Sequence, residues 1–397
     1  MKLARRICEV QPSATLAVDA KAKALKAQGM DIVGYGVGEP DFDTPQHIVS
    51  AGVKAMSSGD TKYAAKRGPE LKKLLSQKLK RENNLEYAPE DIIVSNGGKQ
   101  SLYNLCQVII DDGDEVIIPA PYWVSYIEQV RLAGGKPVVL ETDEKTAFKI
   151  TPQQLEKAIT PKTKLFIHNS PSNPTGTVYT PDEIRAIAAV IEKTGILALS
   201  DEIYEHLIYG DIKFLSMAAI SPALRQQVVT VNGASKTFSM TGWRIGWAAG
   251  PTEIIKAALK FQSHATSDPA AFSQAGAAEA YANLRMSDEA IMGMREQFNI
   301  RRKHMLARLN KLNGVKCIEP LGAFYCFPSV EGVFGRSFKG VTVKSPMDFC
   351  GVALEQANVA LVPGEAFGSK KHVRLSYATS MEMIDKGLDR LEKLLAQ

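Results

Sequence analysis

Through the middle of the chain, short apolar runs alternate with longer stretches whose hydrophobic residues recur at helical spacing. The runs at 91–95, 115–118, 137–140, 164–168, 196–199 and 228–231 are rich in Ile, Val and Leu, which predicts strands. Between them the pattern predicts a helix over about 99–110, after Asn96-Gly97-Gly98. Another follows Thr180-Pro181-Asp182-Glu183, where an N-cap threonine precedes a proline in the first turn. Apolar strands alternating with helices predict an α/β fold with a central, mostly parallel sheet flanked by helices.

The ends of the chain follow a different pattern. Ile291, Met294, Phe298, Met305, Leu306 and Leu309 predict one long helix over 288–312. After it come an apolar run at 323–327, a helix near 346–357, a strand at 373–376 and a final helix from Met381. This α+β segment of roughly one hundred residues is large enough for a core of its own. The predicted organisation is an N-terminal arm and part of the small domain at 1–45, a large domain at 46–285 and a small C-terminal domain at 286–397. The first 45 residues, with a helix around 18–29, supply no strand to the central sheet; they are expected to pack on the C-terminal segment or on a partner subunit.

Composition narrows the function classes. The chain has 397 residues, two or three domains at roughly 150 residues each. A hydrophobic fraction of 45% with 23% charged residues excludes wholesale disorder. The net charge, 48 − 43 = +5, is spread along the chain without a basic block, so no nucleic-acid partner is expected. Cys8, Cys106, Cys317, Cys326 and Cys350 are odd in number, widely spaced and free of C-x-x-C, which predicts reduced thiols. The six histidines have no metal-ligand spacing, so no metal is expected. Residues 7–12 are too polar for a signal-peptide core, and no run approaches the ~18–20 apolar residues of a membrane helix. A cytoplasmic protein with no membrane partner is the expectation.

In an open α/β sheet, ligands sit beyond the carboxyl ends of the strands. Five polar segments fall there: 96–99, 121–123, 169–176, 201–204 and 232–236. Taken singly, each has an ordinary explanation. Gly97-Gly98 is a strand-to-helix turn, Asn173-Pro-Thr-Gly176 a tight turn, Trp123 core packing and Lys236 a surface charge. Together they make a consistent set. Bare N–H groups at Gly97 and Gly98, with Ser235 and Arg244, suit a phosphate. A desolvated Lys236 amine suits an aldehyde. Asp201 suits a pyridine nitrogen, Asn173 and Tyr204 a ring hydroxyl, and Trp123 a ring face. The set fits pyridoxal 5′-phosphate.

The segment Gly233-Ala-Ser-Lys236-Thr-Phe-Ser-Met-Thr-Gly-Trp-Arg244-Ile-Gly246 resembles the cofactor-attachment signature of class-I pyridoxal-phosphate-dependent aminotransferases. The resemblance covers nearly the whole chain and includes Gly38-Glu-Pro-Asp-Phe42, Lys62-Tyr63, Asn173-Pro-Thr-Gly176, Asp201-Glu-Ile-Tyr204 and Arg374-Leu-Ser-Tyr377. Gly97-Gly-Lys-Gln100 and Pro121-Tyr-Trp-Val-Ser-Tyr126 are similar to the bacterial aspartate aminotransferase subgroup, some of whose members also use prephenate.

The resemblance implies a fold-type I transferase that moves the amino group of L-aspartate to 2-oxoglutarate by a ping-pong route, with pyridoxamine phosphate as the amino-carrying form of the cofactor. It implies that Lys236 attaches the cofactor and shuttles the proton, with Asp201 and Tyr204 assisting. Gly98, Lys99, Trp123, Asn173, Ser235 and Arg244 would bind the cofactor, together with Tyr63 from the other subunit of a homodimer. Arg374, Gly38, Trp123 and Asn173 would bind the substrate, with Lys99, Ser13 and Thr15 receiving its side chain. Gln11 stands where prephenate-using relatives often carry lysine, and a neutral amide holds a second carboxylate less strongly; other basic residues can take that place.

Two rivals share the scaffold or the likeness. A lyase, or an aminotransferase for aromatic or other donors, would use Lys236, Asp201, Tyr204 and Arg374 in the same roles. A transcription regulator with an aminotransferase-like module would need a DNA-binding segment, and about 30 residues before the Gly38 motif leave no room for one.

Overall fold

The computed structural model describes residues 3–63 and 67–397. A two-residue strand, β1 (Val33–Gly34), precedes seven strands that build the central sheet. These are β2 (Ile92–Asn96), β3 (Glu115–Pro119), β4 (Lys136–Leu140), β5 (Thr163–Asn169), β6 (Leu197–Asp201), β7 (Val228–Gly233) and β8 (Ile245–Ala249). The sheet order is β2-β8-β7-β6-β5-β3-β4. The pairs from β7 through β4 are parallel, whereas β8 runs antiparallel to both β2 and β7.

The period-2 geometry of the strands sends alternate side chains to opposite faces. Ile117, Phe166, Ala198 and Val228 enter one apolar cluster, and their neighbours Val116, Leu165, Leu199 and Val229 enter the other. Both faces are therefore covered, and each buried Val, Leu, Ile or Phe contributes about 1.5–3 kcal/mol. The helix Pro181–Thr194 starts at a capping box: Glu183 N–H donates to Thr180 Oγ1 at 3.3 Å, and Glu183 Oε2 accepts from Thr180 N–H at 2.7 Å.

The C-terminal part adds β9 (Tyr325–Cys326), the hairpin β10 (Ser337–Phe338) and β11 (Val341–Thr342), and β12 (Val359–Ala360), β13 (Val362–Pro363) and β14 (Val373–Ser376). Strand β14 lies between β13 and β9, antiparallel to both. Its core unites Phe298, Phe324, Val373 and Leu391 with Val33 and Tyr35 from the N-terminal arm. Strand β1 pairs with β12, and Ala22 and Ile32 pack on Leu354 and Ala360. The arm thus joins the C-terminal segment and gives no strand to the central sheet.

Several elements depart from the sequence pattern, among them two helices and one strand of the central sheet. The N-terminal helix is Ala14–Ala27, one turn earlier than the expected 18–29, because Ser13 stands at its N-cap and Gly29, at φ 85°, stops it. The long helix is Leu284–Leu309, ending before Leu312. Strand β8 has no counterpart among the predicted strands. Its second residue, Gly246, breaks the apolar run, and only packing explains that glycine: a Cβ there would lie 2.0 Å from Gly98 N.

Candidate active site

The carboxyl ends of the sheet strands converge on a cleft of about 370 Å³. Strand β2 ends at Asn96 and leads through Gly97 into the helix Gly98–Ile109. Strand β6 ends at Asp201, and β7 delivers the short helix Ala234–Thr237 that carries Ser235 and Lys236. Arg374 reaches the cleft from β14, and Gly38 from the N-terminal arm.

The helix opening after β2 presents the N–H groups of its first turn, which have no acceptor within the helix. Arg244 folds over this opening, donating to Thr241 O at 2.7 Å and to Asn96 O at 3.1 Å. Only glycine permits that approach, since a Cβ on Gly97 would fall 2.4 Å from Arg244 Nη2. The result is an anion seat made of backbone dipoles, a guanidinium and the nearby Ser235.

Lys236 Nζ donates to Gly38 O at 2.5 Å. The side chain keeps some opening to the cleft, but the amine lies deep enough for burial to pull it down to about 8. Glu39 opposes that shift, while the positive charges of Arg244, Arg374 and Lys99 add to it. Lys99 is itself lowered by burial and by Arg244, and its Nζ lies 5.0 Å from the Trp123 ring centroid. Four cations facing one cleft, repelling one another, describe a site made for an anion.

Of the three carboxylates that line the cleft, Asp19, Glu39 and Asp201, only Asp201 is buried. Tyr126 Oη donates to its Oδ2 at 2.6 Å, and Ile203 N–H to its Oδ1 at 3.3 Å. Burial nevertheless pushes its carboxyl up to about 6, against these two hydrogen bonds. A buried carboxylate held this way is completed by a cationic N–H in the cleft. Asn169 Nδ2 donates to Asp201 O at 3.0 Å and its Oδ1 accepts Asn173 N–H at 2.9 Å, which locks the loop after β5 to the end of β6.

Arg374 is buried, its guanidinium 4.5 Å from the Tyr325 ring centroid and 5.0 Å from that of Phe367. It donates to Asn173 Oδ1 at 2.9 Å and to Gly36 O at 2.8 Å, while its Nε has no hydrogen-bond partner among the described residues. Two of five donors are thus committed, leaving a planar fork for a carboxylate. Tyr204 shares a 2.9 Å hydrogen bond with Tyr325 Oη.

Of the residues singled out from the sequence, Gly38, Gly98, Lys99, Trp123, Asn173, Asp201, Tyr204, Ser235, Lys236, Arg244 and Arg374 line this cleft, as does Thr15. Ser13 lines the neighbouring cavity, which shares Lys99, with Ser13 Oγ 3.0 Å from Thr15 Oγ1. Tyr63 is not brought in: its side chain is 88% exposed, outside the cleft of its own chain. Sequence reasoning missed Tyr126, Tyr325 and Asn169 as site residues. Tyr126 carried one signal, its place three residues after Trp123 on the same face of a helical turn.

The residues present fit pyridoxal phosphate. The cleft supplies a depressed amine, a buried carboxylate, an anion seat at a glycine-opened helix and an arginine with unused donors. Among the described residues, the Glu82, Glu205 and His206 group has metal-ligand proximity, but Lys78 Nζ already sits on Glu205.

Comparison with known proteins gives one consistent result. The sequence model of the family described as aminotransferase class I and II matches residues 30–391. An aspartate aminotransferase of Bacillus subtilis (strain 168) is 50% identical over 397 residues, covering 100% of this chain and 99% of its own. An aspartate/prephenate aminotransferase of Nitrosomonas europaea is 47% identical, covering 100% of both chains. Among solved structures, the aspartate aminotransferase of Thermus thermophilus with maleate matches with a TM-score of 0.94 at 43% identity over 100% of both chains.

Proposed function

The chain belongs to the class I and II aminotransferase family, and from that premise we propose that it moves the amino group of L-aspartate to 2-oxoglutarate, yielding oxaloacetate and L-glutamate. The observation that carries this reading is that the depressed Lys236 amine, the buried Asp201 carboxylate and the Arg374 guanidinium, with donors to spare, line one cleft. Pyridoxal 5′-phosphate, when bound, supplies an aldehyde and a ring that accepts the electron pair left when the substrate Cα–H bond breaks.

The chain's own residues do the rest. Lys236 Nζ would hold the cofactor aldehyde and, once displaced by the substrate amine, would carry the substrate Cα proton to the former aldehyde carbon. Asp201 would keep the ring nitrogen protonated, its carboxylate held by Tyr126 and the Ile203 N–H. Asn173 has its Oδ1 engaged by Arg374 and so offers Nδ2 to the ring oxygen; Tyr204, held by Tyr325, offers its hydroxyl. Trp123 covers one ring face. The Gly98 and Lys99 N–H groups, Ser235 and Arg244 hold the phosphate. Tyr63, outside its own cleft, serves the partner's phosphate in a homodimer. The same reading divides the chain at 45 and 285 and places the enzyme in the cytoplasm; among the described residues, no helix is long and apolar enough to cross a membrane.

Arg374 receives the α-carboxylate beside Gly38, and Lys99, with Ser13 and Thr15, receives the side-chain carboxylate. Lys99→Met is expected to raise KM for L-aspartate and 2-oxoglutarate about ten- to hundredfold, the loss of one hydrogen bond to a charged group, and to spare L-alanine. Steady-state kinetics with the three substrates checks this, and equal effects on all three would remove Lys99 from the side-chain pocket. Gln11 donates its backbone N–H to Glu128 Oε2 at 3.2 Å, placing an acid beside the position where a lysine would serve prephenate; this supports aspartate as the main donor.

Tyr126→Phe deletes a hydrogen bond to a buried carboxylate, worth about 1.5–3 kcal/mol. The expected outcome is a cofactor dissociation constant at least about tenfold higher, measured by dialysis and reconstitution, with the fold unchanged by circular dichroism.

A further inference from the structure

Between β4 and the helix Pro152–Ala158, a short turn at Glu144–Thr146 extends from the central-sheet side toward the strand that carries Arg374. His372, one residue before β14, is buried against this turn. Its Nδ1 lies 2.7 Å from Ser369 Oγ and its Nε2 2.7 Å from Glu144 Oε1, so both ring nitrogens are engaged. Its ring stacks on Phe327 at 4.9 Å and 10°, and Phe148 meets it edge-on at 5.1 Å. Phe148, Phe327, Val362 and Phe367 form one apolar cluster, and Phe367 is the ring beneath the Arg374 guanidinium. A continuous path of packed rings therefore leads from Glu144 through His372 to Arg374.

We propose that Glu144 and His372 are positioning residues that fix Arg374 relative to the loop after β5, and so set carboxylate affinity. Arg374 donates to Asn173 across the same junction, and a slip of β14 would misalign that bond and the fork together. Bidentate recognition tolerates errors of only about 0.5 Å. Two residues of strand, about 6.6 Å, separate the imidazole anchor from the arginine, short enough for the anchor to set its height. The proposal rests on Arg374 as the α-carboxylate anchor.

Glu144→Ala in the holoenzyme is expected to raise KM for both L-aspartate and 2-oxoglutarate about five- to tenfold, with kcat within about twofold and an unchanged cofactor absorption band. Glu144→Gln keeps a hydrogen-bond acceptor and restores most of the affinity. Ser369→Ala, a milder change at the other ring nitrogen, is measured in parallel and moves KM in the same direction. In an Arg374→Lys background, which has lost the fork, Glu144→Ala adds no further KM effect. An Arg374→Lys enzyme with raised KM beside Glu144→Ala and Ser369→Ala enzymes with normal KM would overturn the positioning role alone. A normal KM in Arg374→Lys would overturn the anchor assignment, and the proposal with it.

Discussion

Lys236→Ala is expected to lower kcat by roughly 10⁴-fold or more while leaving the protein folded and able to retain the cofactor. Proton transfer by one positioned side chain is worth about 10²–10⁴-fold, and this amine is also the proposed covalent anchor. Ser235, Arg244, Asp201 and the helix opening remain to hold the ring and phosphate, so loss of chemistry separates from loss of binding. Lys236→Arg keeps the charge without a group that gives up its proton at neutral pH, and is expected to be equally inactive. Methylamine, small enough for a cleft of about 370 Å³, is expected to restore part of the rate in Lys236→Ala and none in Lys236→Arg. The cofactor-free wild-type protein adds a pH signature. Its Lys236 amine, pulled down to about 8, is protonated below that value and cannot attack an aldehyde. Reconstitution with pyridoxal phosphate is therefore expected to slow about tenfold per pH unit below 8 and to level off above it.

Asp201→Asn carries the second large effect. The carboxylate is buried with Tyr126 and the Ile203 N–H on its two oxygens, and its proposed partner is the protonated ring nitrogen. Breaking a buried, hydrogen-bonded charge pair costs about 2–5 kcal/mol, which is roughly 30-fold to several thousandfold in rate or affinity. Both kcat and cofactor retention are expected to fall by factors in that range. Stability should move the other way in the cofactor-free protein. Burial raises the Asp201 carboxyl from 3.8 to about 6, so the native state binds the proton more tightly than the unfolded chain. Between those values stability falls as pH rises, and at pH 7 the full penalty of an ionised buried carboxylate is present. An amide has no such penalty, so the cofactor-free Asp201→Asn protein is expected to melt at a Tm at least equal to wild type at pH 7. A lower Tm with normal kcat would reverse the assignment, making Asp201 structural.

These two residues were legible in the sequence because each follows a near-continuous apolar strand, and strand ends in an α/β sheet mark the binding cleft. Asn173, Gly98 and Ser235 were legible for the same reason. Arg374 was not: nothing in the spacing of β14 distinguishes its arginine from a surface charge, and resemblance alone brought it forward. Tyr325 was invisible, and Tyr126 carried only its spacing from Trp123, because their roles depend on which hydroxyl meets Asp201 or Tyr204 after folding. Strand β8 escaped because Gly246 interrupts it, and the need for that glycine lies on the neighbouring helix opening. The path through Glu144 and His372 joins residues 228 positions apart, beyond the reach of any local pattern.

The central claim, that the cleft takes the amino group from aspartate, is tested most directly by the visible spectrum of the purified holoenzyme before and after L-aspartate is added without any oxo acid. The expected result is a yellow protein whose band bleaches as one equivalent of oxaloacetate appears per bound cofactor. A band that persists unchanged in excess L-aspartate would contradict it.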